Sequence, residues 1–126
     1  GGGGGRLDYW LSRGLVVKVV NKKLAEGKYY KLKGEVEKVV ERYTAHVRII
    51  SSDDLLKLDQ DDLETVIPAV GGTVRIVNGA RCRGAEAELT SLDTENFCVG
   101  LLVRGGEADG TRLEGVEYED VCKLAF

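Results

Sequence analysis

Apolar and polar residues alternate along this chain in short runs with a period of two, the spacing of half-buried β-strands. Gly14-Leu-Val-Val-Lys-Val-Val20 is too short for a helix and too rich in β-branched residues. Gly34-Glu-Val-Glu-Lys-Val-Val40 and Tyr43-Thr-Ala-His-Val-Arg-Ile-Ile50 form two more strands about a turn at Glu41 and Arg42. A polar loop, residues 21–33 with Gly27 near its middle, separates the first two strands. Ser51 to Asp54 is a turn, Leu55 to Asp59 a fourth strand, and Gln60 to Leu63 a 3₁₀ turn. Glu64 to Ile67 is the fifth strand, stopped by Pro68, the sole proline.

The second half repeats this order. Strands are predicted at 74–78, 85–92, 97–103 and 113–118, with a short loop at 80–83 and a Gly-rich loop at 104–112. A turn at Glu119-Asp-Val then precedes a last strand, Cys122-Lys-Leu-Ala. An offset of 58 takes Gly14 to Gly72, Leu58 to Val116, Asp62 to Asp120, Leu63 to Val121 and Val66 to Leu124. Gly34 matches Gly84 at an offset of 50, the first loop being longer. One β unit used twice predicts an all-β fold of two tandem SH3-like five-stranded barrels, with short 3₁₀ turns. The expected organisation is a linker at 1–6, a first subdomain at 7–68 and a second at 72–126. Units of about 55 residues sit near the lower limit for an independent core, so mutual packing and a cleft between them are expected. Asp8-Tyr-Trp-Leu11 is an apolar lead-in, with Trp10 expected to plug a barrel end.

Composition narrows the function classes. Gly1 to Gly5 are expected to be a linker or cloning scar, and the chain a monomeric fragment of a longer protein. No apolar run approaches the roughly 18 residues that span a bilayer and no signal peptide stands out, so no membrane association is expected. Cys82, Cys98 and Cys122 are odd in number and unpaired by spacing, and the single His46 completes no zinc site. No metal or cofactor is predicted, and the thiols are expected to be small apolar residues of a reducing compartment.

Net charge is −3, but its distribution is uneven. Residues 18–38 carry seven lysines against Glu26, Glu35 and Glu37, a balance of +4. Residues 71–126 carry six basic and ten acidic groups, a balance of −4. One basic surface on an otherwise acidic molecule is the consequence. No Ser-His-Asp or Cys-His arrangement can be built with one histidine, and no phosphate-binding G-x-x-x-x-G-K-[ST] is present. The acid pairs Asp61-Asp62 and Glu119-Asp120 fall on equivalent turns, where capping is their expected task. A non-catalytic protein is therefore expected.

Gly72-Thr-Val-Arg-Ile-Val-Asn-Gly79-Ala-Arg-Cys-Arg-Gly84 is similar to a KOW motif, with glycines expected where φ is positive or backbones approach closely. Lys22-Lys-Leu, Gly27-Lys-Tyr, Lys57-Leu-Asp-Gln, Leu63-Glu-Thr-Val-Ile-Pro68, Gly115-Val-Glu-Tyr-Glu-Asp120 and Lys123-Leu-Ala resemble the C-terminal region of the Kin-seventeen DNA/RNA-binding family, from Tyr9 to Ala125. The resemblance implies a tandem of SH3-like subdomains associated with RNA binding, in nuclear proteins linked to DNA replication, DNA repair and pre-mRNA processing.

The residues themselves nominate the contacts. Lys33, before Gly34, and Lys123, on the last strand, are expected to converge at the cleft between subdomains and hold a backbone phosphate. Lys22, Lys23, Lys28 and Lys31 line the long loop, and Tyr29 and Tyr30 interleave with them as stacking faces. One tyrosine is expected to cover the barrel instead. Arg75, Arg81 and Arg83 form a second basic edge, weakened by Glu86 and Glu88. RNA, then DNA, is the expected partner. The rival is a protein-interaction module whose acidic second barrel docks a spliceosomal or repair partner.

Overall fold

The computed structural model describes residues 7–79 and 81–125. The 1–6 linker, Ala80 at the head of the short loop, and Phe126 lie outside the described residues. Among the described residues, ten strands form two five-stranded antiparallel sheets. The first holds β1 (Val16–Val19), β2 (Lys33–Val40), β3 (Thr44–Ile49), β4 (Leu55–Asp59) and β5 (Leu63–Thr65), in the order β4-β3-β2-β1-β5. The second holds β6 (Thr73–Ile76), β7 (Glu86–Asp93), β8 (Cys98–Val103), β9 (Arg112–Glu117) and β10 (Val121–Lys123), in the order β10-β6-β7-β8-β9. In each sheet the last strand returns beside the first, as the repeated pattern predicts.

Register shows how closely the units match. Val16 pairs with Glu35 and Val17 with Gly34 in the first, and Thr73 with Glu88 and Val74 with Ala87 in the second. Both second strands carry a bulge at the same place, between Val36 and Lys38 and between Leu89 and Ser91. The register therefore corrects two sequence equivalences. Gly34 corresponds to Ala87, not Gly84, and Gly14 corresponds to Gly71, not Gly72. Gly14 and Gly71 share a left-handed φ (93° and 94°), and their N–H groups donate to the equivalent carbonyls of Val36 and Leu89 (2.9 and 2.8 Å). Adjacent glycines mislead an alignment by one step; φ does not. Gly34 is needed for closeness, since a Cβ there would lie 2.5 Å from Val47 Cγ1. Gly84 is needed for its φ of 89°, because a Cβ there would meet nothing within 4 Å.

The two cores are not separate. Leu15, Val17, Val19, Val36, Val47 and Ile49 fill the first, and Val77, Cys122 and Leu124 of the second half enter it too. Leu15 and Leu124 face one another across an antiparallel bridge, and Cys122 Sγ donates to the Val16 carbonyl at 3.0 Å. Burial pushes the Cys122 thiol up to about 12. Val121, one residue before Cys122, belongs to the second core with Val74, Ile76, Leu89 and Leu101. Thus β10 has two apolar faces, one for each unit.

The lead-in is bonded to both units. Leu7 exchanges two hydrogen bonds with the Asn78 side chain (3.0 and 2.9 Å). Gln60 Nε2 donates to the Asp8 carbonyl (2.6 Å), and Arg83 Nη2 to that of Tyr9 (2.8 Å). Trp10 is half-buried against the first core. The acid pairs play different parts from the capping expected of them. The cap of the Gln60–Asp62 turn is Asp59, which accepts from the Asp61 N–H at 2.9 Å, while the Tyr118–Asp120 turn has no side-chain cap. Leu124→Ala is expected to cost about 2–4 kcal/mol in urea unfolding, the range for truncating a core leucine. The unfolding should stay a single transition, and two separated transitions would show that the units hold their cores independently.

Candidate nucleic-acid interface

The loop between β1 and β2 is built around its two tyrosines. Tyr29 is buried and its hydroxyl donates to Asp54 Oδ2 at 2.7 Å; it is the tyrosine that covers the barrel. Lys28 lies over its ring, 5.2 Å from the centroid, and 3.9 Å from Asp54. Tyr30 is half-buried, and the ammonium groups of Lys22 and Lys31 each stand 5.5 Å from its ring centroid. Lys22, Lys23, Lys28 and Lys31 are all exposed.

Residue pattern alone predicts only a polar loop here, yet the segment has a fixed path. A 3₁₀ turn spans Leu24–Gly27, with Ala25 and Glu26 in left-handed conformations (φ 48° and 59°). Lys31 is left-handed as well (φ 67°). Such residues cost about 1 kcal/mol or more each, so surrounding bonds must hold them. Lys31 N–H donates to the Val19 carbonyl and Val19 N–H to that of Leu32 (2.8 and 2.9 Å). Asn21 Oδ1 accepts from Lys23 N–H (2.8 Å), and Asn21 Nδ2 donates to Asp62 Oδ1 (3.1 Å). Neither Ala nor Glu signals a left-handed turn, so this path is not readable from sequence.

Lys33 is exposed and stands opposite Lys18 in the β1–β2 ladder. Lys18 in turn pairs with Glu64 at 2.8 Å. Lys123 is half-buried, opposite Val74, and its N–H donates to the Val66 carbonyl at 2.7 Å. Cys122 and Leu124 face the first core, while Val121, and Val74 opposite Lys123, belong to the second. Alternation therefore puts Lys123 on the side of its strand that Val121 occupies, whereas Lys33 lies beside Lys18 on the outer face of the first sheet. The cleft between the units, about 410 Å³, is lined by Trp10, Glu64, Thr65, Ile67, Tyr118 and Glu119 among others, and by neither lysine. The reason is strand order: β5 borders the cleft on one edge of β1, whereas β2, carrying Lys33, lies on the other.

The arginine edge is also divided. Arg83 is half-buried; Nε donates to the Val77 carbonyl (3.1 Å), Nη2 to that of Tyr9, and the guanidinium lies 4.7 Å from the Tyr9 ring centroid. Arg75 donates to the Arg13 carbonyl (2.7 Å) and Ser12 Oγ (3.1 Å). Both guanidiniums hold the lead-in, and Arg81 alone of the three is exposed. A lead-in remote in sequence carries no local mark of which arginines it will engage.

Two small antiparallel barrels sharing a core, with a lysine–tyrosine loop on one, define a tandem SH3-like recognition module. Residues 6–59 match the KN17 SH3-like domain, and residues 68–125 match the KIN17 C-terminal SH3 domain. The chain belongs to the KIN17 family. It is 52% identical over 119 residues to a KIN17-like protein of Oryza sativa subsp. japonica, covering 94% of this chain and 27% of that protein. The DNA/RNA-binding protein KIN17 of Mus musculus is 49% identical over 120 residues, and that of Homo sapiens 47%, each match covering 95% of this chain and 30% of the relative. The chain thus spans less than a third of the relatives it matches. Among the described residues, no helix is long and apolar enough to cross a membrane.

Two expectations follow. Arg83→Ala should lower unfolding free energy by about 1–3 kcal/mol, because two carbonyls lose their donor. Arg81→Ala should stay within about 0.5 kcal/mol; equal losses in thermal denaturation would contradict this division. The Tyr29 hydroxyl, then Ser52, holds Asp54 below its ordinary value of 3.8. A carboxylate depressed in the folded state adds stability above its unfolded value and loses it as pH falls through the folded one. Tyr29→Phe should therefore move the Asp54 midpoint upward in carboxyl carbon-13 NMR and shrink the loss of stability on acidification. A midpoint that does not move would show that the hydroxyl is not what holds Asp54 down.

Proposed function

We propose that this chain is a non-catalytic nucleic-acid-binding module, RNA favoured over DNA, working in a nuclear protein of DNA replication, repair and RNA processing. The observation that carries the reading is the cluster of exposed lysines around Tyr30: among the described residues, Lys22, Lys23 and Lys31 have no ion pair. The names of the mouse and human relatives, DNA/RNA-binding proteins, support it. Backbone phosphates sit against ammonium groups fixed by the loop, and a base stacks on Tyr30, a contact worth about 1–3 kcal/mol. Lys33, opposite Lys18, extends the basic track along the outer face of β1 and β2, and Lys123 on β10 is a further contact proposed for the phosphate backbone. Arg81, after β6 in the KOW-type stretch, is another contact proposed for that backbone. Subdomains 7–68 and 72–126 divide the task, the first holding most of the positive charge.

Four to six phosphate contacts on single-stranded RNA correspond to a log–log salt slope of about −3 to −4. In filter binding, Lys22→Gln with Lys31→Gln should reduce that slope by about 1.4, at 0.7 per phosphate contact. Lys33→Glu with Lys123→Glu should lower RNA retention further. Retention unchanged by both double variants at low salt would remove the proposal.

A further inference from the structure

Asn78 and Gly79 carry two kinds of chemistry at one place. The Asn78 side chain latches the lead-in: Nδ2 donates to the Leu7 carbonyl at 2.9 Å, and Oδ1 accepts from the Leu7 N–H at 3.0 Å. The same Oδ1 accepts from the Gly79 N–H at 2.9 Å. Asn78 is a buried polar residue, 7% exposed, and it lines the cleft between the units.

Gly79 gives this asparagine a reaction. Lacking a Cβ, the glycine leaves its nitrogen unhindered, and the bond to Oδ1 places that nitrogen beside the Asn78 carboxamide. Conversion of the amide then needs water alone. The Gly79 nitrogen bonds to Asn78 Cγ and the Cγ–Nδ2 bond breaks. Nδ2 leaves as ammonia, taking the proton that the Gly79 nitrogen gives up. Water next opens the cyclic imide at one carbonyl to aspartate, or at the other to isoaspartate, in which the chain runs through Cβ. Attack on Cγ comes from above the amide plane, whereas hydrogen bonds to an amide oxygen prefer to lie in that plane. Two bonds from Leu7 therefore hold the amide in an orientation that does not react. The product cannot remake the latch. A carboxylate only accepts, so it has no donor for the Leu7 carbonyl. It also places a negative charge near Asp120, whose Oδ2 lies 3.2 Å from where a Gly79 Cβ would stand.

We propose that Asn78 is a self-modification site guarded by the lead-in. With Leu7 docked, the carboxamide is held and persists. When the lead-in opens, as segments held by a few hydrogen bonds do at low free energy, Asn78 converts and the opening becomes permanent. The experiment incubates the full chain in mildly alkaline buffer at body temperature and reads conversion of each asparagine by peptide mass spectrometry. Asn21 precedes Lys22 and Asn96 precedes Phe97, so both lack the unhindered nitrogen and serve as references. Leu7→Pro, at an exposed position, removes the Leu7 N–H and should speed conversion at Asn78 about threefold or more, as loss of one hydrogen bond does. Gln60→Ala frees the Asp8 carbonyl from the other unit and should also speed it, with Asn96 unchanged. In both variants Asn78 should convert faster than Asn21 or Asn96. Asn78→Asp should shift the fluorescence of Trp10, the only tryptophan, and speed exchange of the Leu7 N–H. Rates at Asn78 unchanged by both loosening variants, conversion no faster than at Asn96, or an undisturbed lead-in in Asn78→Asp would each overturn the proposal. RNA binding at the loop enters none of these readouts.

Discussion

Leu15 and Leu124 face each other between the two halves of the chain, and the rest of the molecule depends on that contact. A unit of about 55 residues buries barely enough apolar surface to offset its conformational entropy. Each additional leucine withdrawn from water contributes about 1.5–3 kcal/mol, so lending Leu124, Val77 and Cys122 to the first core matters on that scale. The means is the period of two in β10. Val121 points into the second barrel while Cys122 and Leu124 point into the first. A strand with one polar face could not do this. The orientation of the two units then follows from a shared strand rather than from the linker, and the lead-in, bonded to Asn78, Arg83 and Gln60, reinforces it.

The proposed function falls where the copies differ. Both units keep the same strand order, the same bulge and the same left-handed glycine before their first strand. Between β1 and β2, however, the first unit inserts the loop that carries Lys22, Lys23, Lys28 and Lys31, and the second has a much shorter connection. The 3₁₀ turns diverge in the opposite sense. At the equivalent position, Gln60 is spent on the Asp8 carbonyl, whereas Tyr118 lines the cleft between the units. A common scaffold thus carries a lysine-bearing loop on one copy and a cleft-lining tyrosine on the other.

Strands are legible in the sequence because period-two alternation is local, and so is the duplication, because strand endings such as Leu63 and Val121 keep their spacing. What depends on three-dimensional proximity is harder to read. The offset across the first loop misleads, since Gly84 matches Gly34 in residue type while Ala87 matches it in register. A meeting of Lys33 and Lys123 needs β10 to run beside β2; β10 instead pairs with β6, and the chain just after it touches the first unit at the Leu15–Leu124 bridge. Tyr29 and Tyr30 compete for covering the barrel, and Asp54, 25 residues from Tyr29, decides between them. The cleft leaves no trace in the pattern, because Trp10, Glu64 and Tyr118, which line it, come from three distant segments.

On the proposed reading, segregation of charge lets a chain of net charge −3 bind a polyanion. At physiological ionic strength the screening length is about 8 Å, so a ligand at the loop feels the local lysines more than the total. Acidic groups more than a screening length away then oppose a phosphate at Tyr30 only weakly. The same argument bears on Lys18, which stands between Lys33 and Glu64 and is paired to the latter at 2.8 Å. A phosphate held between Lys33 and Lys18 would compete with Glu64 for the Lys18 ammonium, so the proposed basic track and the Lys18–Glu64 pair are alternatives for one side chain.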